Sequence, residues 1–180
     1  MGQQATNTFG FQGGNNGIVP PTTSKSYGAW HSEQDQPILT NNQVIEAFAE
    51  IIDYENNFAM VQNSGGKYSQ ITNKGEAGLF NLQFSAQFVR GSGGTSKDIS
   101  IFIRKMGTNV IWSNTFITTK ANDNEIVGAW NWFIALDTNE YIEIMWSCGT
   151  NAVKMAQFPE NLTLGIPATP SMIITIQQVN

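Results

Sequence analysis

The stretch "GLFNLQFSAQF", Gly78 to Phe88, alternates with a period of two. Phe80, Leu82, Phe84, Ala86 and Phe88 stand on one parity, and Leu79, Asn81, Gln83, Ser85 and Gln87 on the other. Successive side chains of a strand point to opposite faces, so this pattern specifies a β-strand with one apolar face rather than an amphipathic helix. Its second face carries amides where a water-facing strand would carry lysine and glutamate. Asn and Gln can hydrogen-bond across a protein contact without the desolvation cost of a buried charge. That face is therefore expected to meet another copy of the chain.

Further extended runs are read at Tyr27 to Ser32, Phe58 to Gln62, Lys67 to Ile71, Asp98 to Met106, Asn109 to Thr119, Ala129 to Leu136, Glu140 to Cys148 and Ser171 to Val179. They are separated by turn-forming stretches such as "NSGG", "TNKGEAG", "RGSGGTSKD" and "GIPATP". Short strands between such breaks are the pattern of an all-β sandwich or barrel. "MGTN" and "DTN" place Gly and Asn where a tight hairpin requires positive φ. One segment is ambiguous: in "NNQVIEAFAEIIDY", Asn41 to Tyr54, the residues Val44, Ala47, Phe48, Ile51 and Ile52 fit helical spacing, yet the run also alternates in part. Helix and strand with loop both remain open there.

Alternation assigns Ile99, Ile101 and Ile103 to the core, and Trp130, Trp132, Ile134 and Leu136 to the face opposite Ala129, Asn131, Phe133 and Ala135. The second faces are not plainly hydrophilic, as an isolated sandwich requires. They are read as carrying Leu79, Phe102, Phe133, Tyr141, Met145, Met172, Ile174 and Ile176. Leu79, Asn81, Gln83, Tyr141, Met145, Met172, Ile174 and Ile176 are accordingly expected to form an interface between copies.

At 180 residues the chain suits one domain, 27–180, preceded by an arm, 1–26. The arm is rich in Gly, Gln, Asn, Thr and Pro and shows no periodicity, so it cannot bury enough surface to fold alone. Phe9, Phe11, Ile18 and Val19 are its expected anchors, on a partner, a neighbouring subunit or its own domain. Only 13% of residues are charged, with a formal net charge of −5. Nothing resembles a basic footprint for a phosphate backbone, so no nucleic-acid partner is expected. The longest near-continuous apolar stretch, Ile126 to Leu136, is too short for a bilayer, so no membrane insertion is expected. The first 28 residues lack a basic segment followed by an apolar core, so no secretory signal is expected. The single cysteine, Cys148, shares the parity of Ile142, Ile144 and Trp146 and is read as a buried small apolar side chain.

No catalytic group, metal site or cofactor is expected. The one histidine, His31, lies in "AWHSEQDQ", but His31 and Ser32 are adjacent on a strand and point to opposite faces, so they cannot act as base and nucleophile. "ANDNE", Ala121 to Glu125, lacks the remaining acidic positions of a calcium loop. For a sugar-binding alternative, Trp30, Trp112 and Trp146 are the candidate aromatic platforms.

The segments "SYGAWHS", "QFSAQF", "IFIRKMGTNVIWSNT", "EYIEIMWSCG" and "PATPSMIITIQQV" together resemble the jelly-roll domains of phage and other viral structural proteins. Those domains are similar in architecture to tumour necrosis factor and the complement globular heads. The resemblance implies a jelly roll of about ten strands over residues 27–179, usually a homotrimer, located in the virion. It would serve there as a capsid decoration or head-fibre protein contacting capsid or tail proteins through the arm. The alternative is a tail fibre or knob that binds a host-surface glycan or receptor. In "LDTNEYIEIMW" an Asn-Glu pair departs from the Gly-Asp turn common in the family.

Overall fold

The computed structural model describes residues 25–91, 96–120 and 125–179. Within them the chain is all-β, with strands β1 (Tyr27–Ser32), β2 (Gln36–Pro37), β3 (Val44–Glu46), β4 (Ile51–Asn56), β5 (Phe58–Gln62), β6 (Tyr68–Asn73), β7 (Gly78–Arg90), β8 (Lys97–Lys105), β9 (Thr108–Asn109), β10 (Thr115–Thr119), β11 (Glu125–Leu136), β12 (Tyr141–Cys148), β13 (Val153–Met155) and β14 (Met172–Gln178). Ten of these have five or more residues and divide equally between two antiparallel sheets. The first sheet runs β4-β1-β14-β7-β11, with β13 and β2 extending the end of β7. The second runs β5-β6-β12-β8-β10, with β3 beside β12 and β9 beside β8. Counting the eight main strands β1, β6, β7, β8, β10, β11, β12 and β14 in chain order, the sheets read first-eighth-third-sixth and second-seventh-fourth-fifth. This is a jelly roll, the all-β fold that the alternation implied.

The core forms where the apolar parities of the two sheets meet. Phe80, Leu82, Phe84, Ala86 and Phe88 of β7 face Ile99, Ile101 and Ile103 of β8 and Ile142, Ile144, Trp146 and Cys148 of β12, all at most 2% exposed. Phe58 meets Phe80 edge-on at 5.0 Å and Phe88 packs on Trp146 at 5.7 Å, pinning the sheets together towards both ends. Two glycines make room for tryptophans two residues along the same face. A Cβ on Gly28 would stand 1.9 Å from the Trp30 ring, and one on Gly128 would stand 2.2 Å from that of Trp130. The expected hairpin signals hold: Met106 and Gly107 have φ of 48° and 78°, and Asn139 has φ of 66°.

Of the two readings open for Asn41 to Tyr54, strand with loop holds: the segment contains β3 and the start of β4. Ala47 N–H donates to Ile144 O at 2.8 Å and Ala49 N–H to Tyr68 O at 2.9 Å, tying this part to the second sheet, whereas β4 joins the first beside β1. Other expectations change. Asn109 to Thr119 is not one strand, because a tight turn separates β9 from β10. Four expected interface residues lie in the chain's own interior: Met145 (1% exposed), Met172 (1%), Ile174 (2%) and Ile176 (1%). The last three are registered opposite Ala86, Phe84 and Leu82, so they share the core parity of β7. Met145 sits on the outer parity of the central strand β12, between Glu46 and Phe102, and is covered there. The arm anchors Phe9, Phe11, Ile18 and Val19 and the loop residues 121–124 lie outside the described residues.

Candidate interaction face and pocket

The outer face of the first sheet is assembled by strand register. One row across it reads Asn131, Gln83, Thr175, Ala29, Tyr54. The next row towards the C-terminal end of β14 reads Phe133, Asn81, Gln177, Tyr27, Asn56. On the other side lie Ala129, Ser85, Ile173, His31 and Ile51. Leu79 with Ala135, Gln87 with Val127 and, at the end of the pair, Val89 with the charged Glu125 complete β7–β11. Glu125 apart, from β11 across to Ala29 and Tyr27 no outward side chain on these rows is a Lys, Arg, Asp or Glu. Exposed apolar residues punctuate the amides: Val127 (66%), Phe133 (65%), Leu79 (45%) and Ile173 (42%). Strand spacing of ~4.8 Å and a rise of ~3.4 Å per residue make the face roughly 20 Å across, about 40 Å long on β7 and β11 and about 20 Å long on β14, β1 and β4. Its area is of the order that one partner contributes to a standard interface, ~800 Å².

Of the expected interface residues, Leu79, Asn81 and Gln83 lie together here. The Oδ1 atom of Asn81 is buried and has no hydrogen-bond partner within the described chain. Tyr141 is half-buried on the second sheet and takes no part in this face. Val127, Ile173, Tyr27 and Tyr54 belong to it and were not anticipated, although Phe133 was. The strand parity of Val127 was available from Trp130 and Trp132. That of Ile173 was not, because apolar residues occupy both parities of β14.

At the β1–β4 side the face ends in a cavity of about 430 Å³ lined by His31, Glu33, Asp53, Gln157, Ala168, Thr169, Pro170 and Ile173. β1 turns His31 outward, while Ser32 is 0% exposed on the core side. The two groups therefore stand on opposite faces of the strand. A bulge in the β1–β4 register near Ala29 and Trp30 brings Asp53 over to His31, with Nδ1 and Oδ2 2.9 Å apart. Glu33 lies 3.6 Å from Nε2. Burial pulls the imidazole pKa down, but the hydrogen bond and charge of Asp53, followed by those of Glu33, outweigh it and raise the group above 6.5. A raised histidine contributes stability that is complete below pH ~6.5 and is lost as pH rises through the folded-state value. The free energy of unfolding is expected to fall slightly between pH 6 and pH 8, by under ~1 kcal/mol for so exposed a pair. His31→Gln should flatten that slope in urea titrations, and an unchanged slope would remove His31 as its source. Among the described residues no three His, Cys, Asp or Glu side chains converge to hold a metal.

Of the three tryptophans considered as platforms, Trp30 and Trp146 are 0% exposed, and Trp112 is 97% exposed. The Trp30 indole N–H donates to Glu55 Oε1 at 2.7 Å inside the fold. No protein-family model and no curated protein matches this sequence.

Proposed function

We propose that the chain is a non-enzymatic structural subunit that associates with copies of itself, as a homotrimer, through the uncharged outer face of the first sheet. The setting this reading favours is a virion, as a capsid decoration or head-fibre protein. The observation that carries it is the face itself: five registered strands whose outward residues combine amides with Leu79, Val127, Phe133 and Ile173 and place charge only at the margins. Such a surface loses little on desolvation, since an amide can be satisfied by a neighbour's amide while a buried charge cannot be left unpaired. In a three-fold ring the contact is heterologous, so the face meets a different surface of the next copy. The jelly-roll strand order supports the same reading, because it is the architecture of the viral domains that the sequence resembles. The burial of Trp30 and Trp146 removes two of the three platforms on which a glycan-binding tail knob would rest.

In this reading residues 1–26 attach the assembly to its particle. Full-length protein is expected to have three times the chain mass by light scattering at micromolar concentration. A chain lacking residues 1–24 should keep that mass and its melting temperature, because β1 begins at Tyr27. Added to particles that lack the protein, it should co-sediment at least tenfold less than the full-length chain. Equal occupancy would move attachment to the jelly roll, and a monomeric full-length chain would overturn the assembly.

A further inference from the structure

The turn between β9 and β10 is built in a way that its sequence does not favour. Val110 O accepts the N–H of Ser113 at 3.3 Å, which makes Val110 to Ser113 a β-turn, and its third residue, Trp112, has φ of 66°. Glycine or asparagine normally fills that position, since a positive φ strains a bulky side chain. The turn is nevertheless firmly held at both ends. Val110 N–H donates to Ile103 O at 2.9 Å. The Ser113 hydroxyl, 6% exposed as a residue, accepts Ile103 N–H at 3.0 Å and donates to Val110 O at 2.8 Å. The outcome is an anchored projection whose tip, Ile111 and Trp112, is 79% and 97% exposed. A strained residue held in place by its surroundings points to a use for what it presents.

The cavity beside His31 has the complementary chemistry. Ile173, Pro170 and Ala168 supply apolar walls, and the carboxylates of Glu33 and Asp53 supply acceptors for the single N–H of an indole. A protonated His31 can also lie against the ring's negative face. The two features occupy opposite sides of one sandwich. Trp112 adjoins β10, which packs over β11 through Ile117 and Gly128. The cavity lies at β1 and β4, the opposite margin of the first sheet. Neither lies beyond the ends of the sandwich, since Ile103 beside the turn and Ser85 beside Ile173 both fall between the Phe58–Phe80 and Phe88–Trp146 contacts. A knob on one side and a socket on the other cannot meet within a chain, but they can join successive copies head to tail into a closed ring.

We infer that Trp112 of one copy docks into the cavity formed by His31, Asp53, Pro170 and Ile173 of the next, an inference that rests on the self-association proposed above. The partner is a second copy of this chain, and the cavity is complete only with its indole.

The test uses two full-length variants. Trp112→Gly removes the knob and relieves the positive φ, so its melting temperature in monomeric form should not fall. Ala168→Arg fills the socket from an exposed loop position. Each is expected to weaken assembly at least tenfold in sedimentation. Mixed in equal amounts, they should form a one-to-one heterodimer and nothing larger, because one intact socket then meets one intact knob. Acrylamide quenching gives a second readout: the exposed Trp112 should become protected as the wild type assembles. A wild type that stays monomeric at 100 µM would overturn the assembly itself. If the wild type assembles while both variants match it, or the mixture yields no heterodimer, the knob-and-socket contact alone is overturned. Glycan binding that is lost in Trp112→Gly with assembly intact would overturn it in favour of a sugar platform.

Discussion

Ile174→Asp is expected to abolish the folded chain rather than to release folded monomers. Ile174 is 2% exposed and lies in register between Phe84 of β7 and Trp30 of β1, which are 2% and 0% exposed. Removing a buried isoleucine side chain costs about 2–5 kcal/mol in lost transfer and cavity terms. An unpaired carboxylate at the same place adds several more, or must take up a proton to avoid them. Native domains hold only about 5–15 kcal/mol in reserve. Circular dichroism should therefore show loss of the β spectrum, or a melting temperature lowered by tens of degrees. A folded, dispersed variant with wild-type melting would mean that β14 presents its other parity to the core.

That expectation shows where the sequence was legible. β1 and β5 were delimited at both ends by the polar and turn-forming residues that flank them, β7 showed its faces because it alternates between apolar and mostly amide residues, and β11 showed its core parity through Trp130, Trp132, Ile134 and Leu136. β14 does not: Met172, Ile173, Ile174 and Ile176 put apolar groups on both parities, and only the register opposite Leu82 and Phe84 decides which set is buried. Strands β2, β3 and β13 have two or three residues, too few for any period to appear. The turn at Trp112 carries none of the Gly, Pro or Asn that usually marks one, so its segment read as continuous strand. The pocket could not be seen in advance at all. His31 and Asp53 meet Pro170 and Ile173 across a separation of more than a hundred residues that only sheet order closes.

The decisive variant for the interaction face is Gln83→Arg. Gln83 is exposed in the middle row of the face, between Asn131 and Thr175, and the Thr175 hydroxyl lies 3.3 Å from its Oε1. In a monomer the change places a cation in water and should alter stability by no more than ~0.5 kcal/mol. In the assembly it buries an unpaired guanidinium at every copy of the contact, which costs at least ~3 kcal/mol and so raises the dissociation constant more than a hundredfold. Light scattering should find the variant monomeric at concentrations where the wild type is assembled, with the thermal melt of the monomer unchanged. Gln62→Arg, at an exposed end of β5 on the other sheet, should leave the assembled mass as it was. If Gln83→Arg assembles as tightly as the wild type, the copies meet through some other surface and the uncharged face needs a different partner.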